Sequence, residues 1–260
     1  MVSLPGIEPG GNVRELSLDQ IASVLEGLEE TIIYKLIDRI QFKRNEPVYQ
    51  SGKSGFPGET ASLFELRLRY QEEMDSLFGR FMVPEERPFT SNLPPPKRRR
   101  LDPDSPLRIP DYNLVNLTSR ILLDYLGLLP RICPPGDDGH YGSSCEHDVY
   151  ALQAISRRIH YGAFYVGEVK YRQDPEKYKR LLSVGDQEAL LAALTRKEVE
   201  DTIVQRVREK ARTIQATIRT PIRTQLNAEV VAEFYRNTII PLTKEGELLY
   251  LQHRLPEGGL

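Results

Sequence analysis

Three stretches of this sequence place charged residues within apolar helical patterns, where they could bind an anion. In SRRIHYGAFYVGEVKY, Arg158 and Lys170 bracket an apolar, aromatic segment that contains glycine. Glu200 lies beside a hydrophobic run, and Thr243 and Glu247 are four residues apart and therefore share a helix face. A charge on a buried helix face is informative, because burial of a charge requires a partner. The alternative for each stretch is a solvated face or an exposed salt bridge that contributes little.

The elements that carry these residues are predicted to be helices. No useful length of chain alternates apolar and polar residues, whereas apolar residues recur at intervals of three and four. The first helix opens at Ser17, where Gln20 would complete a capping box, and its apolar stripe runs from Ile21 to Ile40 and includes Val24. The sequence predicts an all-α fold, a bundle of about eight or more helices. Further helices are expected at about 60–81, 113–130, 144–172, 174–183, 185–194, 196–213 and 227–254, the last with Asn227 as its N-cap.

A proline-rich segment interrupts the helical pattern at about 84–110. It holds eight prolines and the basic run KRRR at 97–100. Proline lacks the N–H group that a helix interior needs, so we expect an extended surface connection within a single domain spanning 1–260. The basic run could be a nuclear-import signal or a nucleic-acid patch. Such clusters are also common in solvated loops, and no recognition helix or aromatic stacking platform accompanies this one.

The charge distribution favours a small anionic ligand over nucleic acid. The chain has 260 residues, with 35 Lys+Arg and 37 Asp+Glu, and a net charge of −2. Residues 151–220 carry a net charge of +5 and the remainder −7, so an acidic protein contains a basic central stretch. No stretch approaches the roughly 20 apolar residues of a membrane helix. The N-terminus lacks the features of a secretory signal, so we expect a cytoplasmic protein.

The two cysteines, Cys133 and Cys145, lie twelve residues apart in a loop rich in proline and glycine. A disulfide is conceivable, but free thiols are the expected state in a reducing compartment. His140 and His147 flank Cys145, yet no pair has the C-x-x-C or H-x-x-x-H spacing of a metal site. We therefore expect no bound metal.

Several strings of this sequence resemble the chorismate mutases of the all-helical class, in their longer fungal and plant form. The specific strings are SRRIHYG at 156–162 and PLTKE at 241–245. Others are LEETIIYKLIDRIQF at 28–42, PEERPF at 84–89 and YGSS at 141–144. They follow the order of the family, so the resemblance covers nearly the whole chain.

The resemblance implies an isomerase that converts chorismate to prephenate in the biosynthesis of phenylalanine and tyrosine. This intramolecular Claisen rearrangement needs no nucleophile, metal or cofactor, but it requires a dianion to be held in a compact conformation. By position in the strings, Arg158 would clamp a carboxylate and Lys170 would stabilise the ether oxygen. Glu247, if protonated, would be a second donor to that oxygen. Glu200 would accept from the ring hydroxyl, and Thr243 would help to bind a carboxylate.

Two departures from the family pattern concern substrate binding. The resemblance implies an arginine in the first helix at the position of Ala22, where it would bind a carboxylate. Arg14 or Arg196 could replace it, and Arg196 is the better candidate because the family has a small polar residue at that position. The Arg158 to Lys170 interval is one residue longer than the family pattern, which a π-bulge near 162–167 would absorb. A regular helix from 158 to 170 would exclude Lys170 as a ligand.

The resemblance also implies a homodimer with an aromatic amino acid effector site at its interface. Gly142 and Ser143 match the family's Gly-Ser pair, whereas its arginine pair is reduced to Gly79-Arg80. The alternative for Gly142 and Ser143 is a turn that caps the next helix. The alternative for the whole chain is a weakened or inactive relative, acting as a ligand-binding or interaction protein.

Overall fold

The structure, a computed structural model, describes residues 16–98, 105–217 and 223–256, and its helices follow the apolar periodicity of the sequence. These residues contain ten α-helical segments and no strand. A π turn at Gly162–Val166 joins the fourth segment to the fifth, and another at Tyr235–Ile239 joins the ninth to the tenth, so eight continuous helices result. The predicted all-α bundle is confirmed. The segments are α1 Leu18–Arg39, α2 Leu63–Leu77, α3 Thr118–Ile132, α4 Tyr141–Tyr161, α5 Gly167–Gln173, α6 Pro175–Val184, α7 Gln187–Leu194, α8 Lys197–Ala216, α9 Ala228–Phe234 and α10 Ile240–His253.

Helix α4 occupies the centre of the bundle. It packs against α1 most extensively, and also against α2, α3 and α10. Its inward face is completely buried, because apolar residues recur at helical spacing on the side that meets α1. The residues of this face are Val149, Leu152, Ile155 and Ile159. The C-terminal end of α4 is therefore a rigid support for the basic residues that follow.

A buried polar network lies near the start of α4. Arg39, which is fully buried on α1, forms an ion pair with Asp148 at 2.5 Å between Nε and Oδ1. Tyr49 and Tyr125 donate their hydroxyls to the same carboxylate at 2.6 and 2.7 Å. This network satisfies every charge that it buries, which is the condition for stable burial.

Three local predictions from sequence are wrong. Ser17 is the N-cap of α1, but its side chain makes no capping hydrogen bond. The reciprocal capping box occurs instead at Ser62 and Glu65, which open α2. Pro130 does not end the third helix, because α3 continues to Ile132 with the proline in its last turn. Val24 is 42% exposed, so it does not belong to the buried stripe of α1.

Two other predictions concern the ends of helices and the thiols. Asn227 caps α9, and its side chain accepts from the backbone N–H of Glu229, as predicted. Cys133 and Cys145 are both buried and are not joined by a disulfide in this structure. None of the described helices is both long enough and apolar enough to cross a membrane.

The described parts of the proline-rich segment, 84–98 and 105–110, contain no α-helix. The backbone lies along α2, where Ser76 donates to the carbonyl of Pro94 at 2.7 Å and Lys97 N–H donates to that of Leu77 at 3.0 Å. Half of the KRRR run, positions 99 and 100, lies outside the described residues, as does Arg14.

Candidate active site

Arg158, in the last turn of α4, is the most unusual cation of the interior. Its side chain is 3% exposed, and its Nε and Nη1 atoms have no hydrogen-bond partner among the described residues. Burial lowers the pKa of Arg158, although nearby Tyr235 and Glu29 oppose that effect. A buried guanidinium with unused donors is unfavourable by itself, so its environment is suited to an anion.

The helix that carries Arg158 widens immediately after it. The π turn at Gly162–Val166 lies where the sequence predicted that an extra residue would be absorbed, so that prediction is confirmed. In a regular helix, twelve residues would separate the directions of Arg158 and Lys170 by about 120°. Because the wide turn takes up one residue, both side chains lie near Glu247 on α10.

Glycine allows α10 to approach this wide turn closely. A Cβ atom at Gly162 would lie 2.6 Å from Cγ2 of Thr243 and 3.3 Å from Nη1 of Arg158. From the opposite side, a Cβ atom at Gly246 would lie 2.5 Å from that of Ala163. The two glycines therefore set the contact between the helices that bear the candidate site residues.

Lys170 and Glu247 form a buried ion pair across α5 and α10. The Nζ atom lies 2.7 Å from Oε2, and it also donates to the carbonyl of Leu194 at 2.7 Å. Glu247 is 3% exposed. Burial raises the pKa of Glu247, and Lys170, Lys244 and Arg158 reduce that rise without cancelling it. The site thus combines three cations with a carboxyl group whose pKa is raised.

Glu200 and Thr243 lie at the side of this pair. Glu200 on α8 forms an ion pair with Lys244 at 2.9 Å. Lys244 was not singled out from the sequence, although it stands next to Thr243 within the PLTKE string. The Thr243 hydroxyl donates to the carbonyl of Ile239 at 2.7 Å, so binding another group would require it to rotate.

Arg196 occupies the N-cap position of α8, on the exposed side of the site. Its backbone carbonyl accepts from the N–H of Glu200 at 3.0 Å, whereas its guanidinium has no hydrogen-bond or ion-pair partner among the described residues. Arg196 is close to the site, because it and Glu247 both act on the buried Tyr178. Burial is the main cause of the raised pKa of Tyr178, and Glu247 raises this pKa further, whereas Arg196 lowers it. Ala22, where the family pattern has an arginine, is exposed on α1.

Sequence reasoning missed an ionic group behind Arg158. Glu29 on α1 is fully buried and accepts two hydrogen bonds from Arg206 at 2.6 and 2.9 Å. The Tyr235 hydroxyl is buried nearby without a partner among the described residues, and burial raises the pKa of Tyr235 well above its ordinary value. The signal in the sequence was a glutamate directly after Leu28, on the apolar face of the first helix.

The structure does not bring the predicted effector residues together within one chain. Arg80 pairs with Asp75 at 2.8 Å and with Glu86 at 3.0 Å, and it donates to the Gln153 side chain on α4 at 2.7 Å. Gly142 and Ser143 lie in the first turn of α4. Ten residues of helix separate Ser143 from Gln153, an axial distance of about 15 Å. One amino acid could not contact both ends within a single copy.

No cluster of three or more metal-ligating side chains occurs within the described ranges. His140 and His147 instead flank the ring of Phe42, with centroid distances of 5.7 and 5.4 Å. Aromatic packing therefore accounts for the histidines near Cys145.

Known proteins share both the sequence and the fold of this chain. No family model matches it. A chorismate mutase from Schizosaccharomyces pombe is 38% identical over 249 residues, which covers 93% of this chain and 98% of that protein. This chain belongs to the chorismate mutase family. The all-helical architecture, the SRRIHYG and PLTKE strings and the buried cations are thus features of a chorismate mutase.

Solved structures of chorismate mutases have the same fold. The Aro7p chorismate mutase from Candida albicans, in complex with L-Trp, superposes with a TM-score of 0.87 at 31% identity and covers 96% of this chain and 97% of its own. The chorismate mutase AtCM1, with phenylalanine in an allosteric site, has a TM-score of 0.83 at 33% identity, with 95% and 99% covered. AtCM1 has also been solved with tyrosine bound in that site.

Proposed function

We propose that this chain, as one domain spanning 1–260, converts chorismate to prephenate at the site between α4, α5, α8 and α10. The observation that carries this proposal is the buried guanidinium of Arg158, which has unused donors and lies near enough to affect the pKa of Glu247, the partner of Lys170. A bidentate arginine fork matches the geometry of a carboxylate, and this reactant carries two carboxylates. Prephenate then serves the synthesis of phenylalanine and tyrosine.

The chemical step requires stabilisation of negative charge on the ether oxygen as its bond to carbon breaks. The Lys170 ammonium supplies a compact positive charge for that oxygen. Glu247 supplies a second hydrogen bond in its protonated form, which burial favours. In the unliganded protein these two groups bind each other, so the ether oxygen would come between them. Neither residue forms a covalent bond with the reactant.

The remaining residues hold the reactant in its reactive conformation. Glu200 accepts from the ring hydroxyl, and its ion pair with Lys244 keeps the carboxylate in place. Thr243 donates to one carboxylate after its hydroxyl turns away from Ile239. Arg196 supplies the anchor that Ala22 lacks, because it is a cation without an ion-pair partner in the described part of the chain. Holding the reacting ends together supplies a large part of the rate enhancement.

Two adjacent arginines provide a matched test of this function. The decrease of chorismate absorbance, with prephenate identified as the product, measures turnover. We expect Arg158→Ala to reduce kcat/KM by about a hundredfold or more, because a charged hydrogen-bonded anchor is lost. Arg157, whose side chain is 39% exposed, is the control, and Arg157→Ala should retain most of the activity. Chorismate binding without turnover in the unchanged protein would contradict the proposal and favour the inactive relative.

We also propose that an aromatic amino acid regulates the enzyme through Arg80, Gly142 and Ser143. The Trp, Phe and Tyr complexes of related chorismate mutases support this proposal. Because Arg80 and Ser143 are far apart in one copy, the effector would contact Arg80 of one protomer and the Gly-Ser pair of the other. Its carboxylate would compete with Asp75 and Glu86 for Arg80. Activity measured with added Trp, Tyr or Phe tests this, and an absence of any change would contradict it.

A homodimer is therefore part of the proposal. Helix α2 and the residue after it present Tyr70, Met74 and Phe78 at intervals of four, with exposed fractions of 46, 49 and 73%. An apolar stripe of this kind on an exposed helix favours contact with another surface. Sedimentation analysis should give a dimer, and Phe78→Asp should shift the protein towards the monomer. A monomeric unchanged protein would contradict this part.

We place the enzyme in the cytoplasm. The support is chemical, since Cys133 and Cys145 are both free thiols, as is usual in a reducing compartment. Fractionation of cells that produce the protein would test its location.

A further inference from the structure

Helix α5, which carries Lys170, is the last part of the continuous helix that begins with α4. It contains seven residues, Gly167–Gln173, and it follows directly on the wide turn at Gly162–Val166. The regular α-helical pattern is interrupted at that turn, and the helix ends three residues after Lys170. Side-chain contacts of α5 with its neighbours therefore contribute to the direction of Lys170.

Glu168 provides such a contact. It is fully buried two residues before Lys170, so the two side chains leave the helix about 200° apart. Arg254 donates to its carboxylate through Nε at 2.7 Å and through Nη2 at 3.1 Å. Arg172 donates from one turn later on α5 at 2.6 Å. Burial opposes ionisation of Glu168, but the hydrogen bonds with Arg254, Tyr250 and Arg172 outweigh it and hold the pKa below its ordinary value.

Tyr250 connects Glu168 to the helix that carries Glu247. Its hydroxyl donates to Oε2 of Glu168 at 2.6 Å and accepts from the N–H of Arg108 at 3.2 Å. A Cβ atom at Gly167 would lie 3.0 Å from the Tyr250 ring, so the helices are in close contact here. Tyr250 follows Glu247 by three residues on α10, while Glu168 precedes Lys170 by two on α5. The helices are therefore antiparallel and are joined by two contacts, Glu168 with Tyr250 and Lys170 with Glu247.

We propose that Glu168 is a positioning residue for the reaction, which holds α5 against Tyr250 and Arg254 and so sets the distance of the Lys170 ammonium from Glu247. Glu168 itself lies on the opposite face of α5 and does not touch the reactant. It has this role only if Lys170 and Glu247 act as proposed above. Loss of the contact would let the wide turn relax and would move Lys170 away from Glu247.

The pH dependence of kcat/KM distinguishes positioning from a general loss of stability, because it reports ionisation in the free enzyme. Lys170 from α5, Arg158 from α4, Tyr178 from α6 and Lys244 from α10 face Glu247, and Lys170 is the nearest charge that lowers its pKa. If Lys170 moves away, the pKa of Glu247 rises, and the protonated form persists to higher pH.

The experiment compares Glu168→Gln and Tyr250→Phe with the unchanged enzyme. For Glu168→Gln we expect kcat/KM to fall by about tenfold or more. The pH at which kcat/KM of this variant begins to decline should rise by about half a pH unit or more. Tyr250→Phe removes one hydrogen bond and should shift the decline in the same direction by a smaller amount. If Glu168→Gln does not fold, Tyr250→Phe tests the inference by itself.

Tyr49→Phe is the matched control, since it removes a phenol from another buried carboxylate, Asp148, at the same 2.6 Å. It should lower Tm and leave the pH profile unmoved. The inference would be overturned if Glu168→Gln and Tyr250→Phe lost activity only in proportion to the fraction of unfolded protein and kept the pH profile of kcat/KM unchanged. Absence of turnover in the unchanged enzyme would overturn the proposed function and this positioning role with it.

Discussion

The Nζ atom of Lys170 lies 2.7 Å from Oε2 of Glu247, and both side chains are largely removed from solvent. Two effects on the carboxyl group oppose each other here. The ammonium favours the carboxylate, whereas burial favours the neutral acid, and burial is the larger effect. The pKa of Glu247 is therefore raised, and in its protonated form this carboxyl group can donate to an oxygen that gains negative charge.

Glu247→Gln should change the pH dependence of the reaction. In the unchanged enzyme we expect activity to fall as pH rises through the raised pKa of Glu247, because the proposed donor then loses its proton. Glutamine donates at every pH, so the variant should keep its activity at higher pH. Initial rates between pH 5 and 9 test this, in the range where the ionisation of the reactant does not change. An identical profile for the two proteins would exclude Glu247 as the donor.

Gly162→Ala should damage both stability and activity. The added methyl group would lie 2.6 Å from Thr243 and 3.3 Å from Arg158, so α10 and the guanidinium would have to move. We expect a loss of about 1–3 kcal/mol in the free energy of unfolding, with a fall in kcat/KM.

Gly27→Ala is the control for that substitution, because a Cβ atom at Gly27 meets nothing within 4 Å. Alanine in this exposed helix interior should raise the free energy of unfolding by about 0.5–1 kcal/mol. Urea denaturation of both variants measures the difference. Equal effects at the two positions would show that the contact between α4 and α10 is not tight.

Arg196→Ala should weaken catalysis if this arginine replaces the anchor missing at Ala22. The loss of one charged contact with a dianion corresponds to about 2–4 kcal/mol in kcat/KM. Lys197→Ala removes the neighbouring exposed cation and should have little effect.

Restoring an arginine at position 22 tests the same idea from the other side. Ala22→Arg in the Arg196→Ala background should recover part of kcat/KM, because either cation would bind the same carboxylate. If Arg196→Ala keeps full activity, a residue other than Arg196 binds the second carboxylate.

His160 should make the fold sensitive to acid. It is fully buried, its Nε2 atom accepts from the N–H of Leu117 at 3.1 Å, and burial lowers its pKa to about 3. In the unfolded chain His160 takes up a proton as pH falls below about 6.5, whereas in the folded chain it does so only near pH 3. Stability is therefore complete above about pH 6.5 and falls with pH by up to about 1.4 kcal/mol per unit towards pH 3. Urea denaturation at pH 7, 6, 5 and 4 should show a smaller decline for His160→Gln than for the unchanged protein.

Regular periodicity made most of the fold predictable. The stripe from Ile21 to Ile40 identified α1, and Asn227 identified the start of α9. The resemblance to the family assigned Arg158 and Lys170 to one ligand, and their longer interval then predicted the wide turn, because a regular helix would direct them apart. These features depend on residues within about one helix, whose geometry is known in advance.

Contacts between distant segments were not predictable in the same way. The burial of Glu29 depends on Arg206, which is 177 residues away and lies on another helix. The separation of Arg80 from Ser143 depends on where α2 meets α4. Ser17 also shows that a correct N-cap position does not ensure a capping hydrogen bond. Packing decides these outcomes, and no local pattern encodes them.

The wide turn at Gly162–Val166 also determines where this enzyme tolerates a change in length. Removal of one residue from a regular helix rotates everything beyond it by about 100°. We expect removal of one residue within this turn to convert it to ordinary α-helix, in which eleven residues would leave Arg158 and Lys170 only about 20° apart in direction. The five residues from Gly162 to Val166 are therefore the part of the central helix at which we expect the loss of one residue to be tolerated.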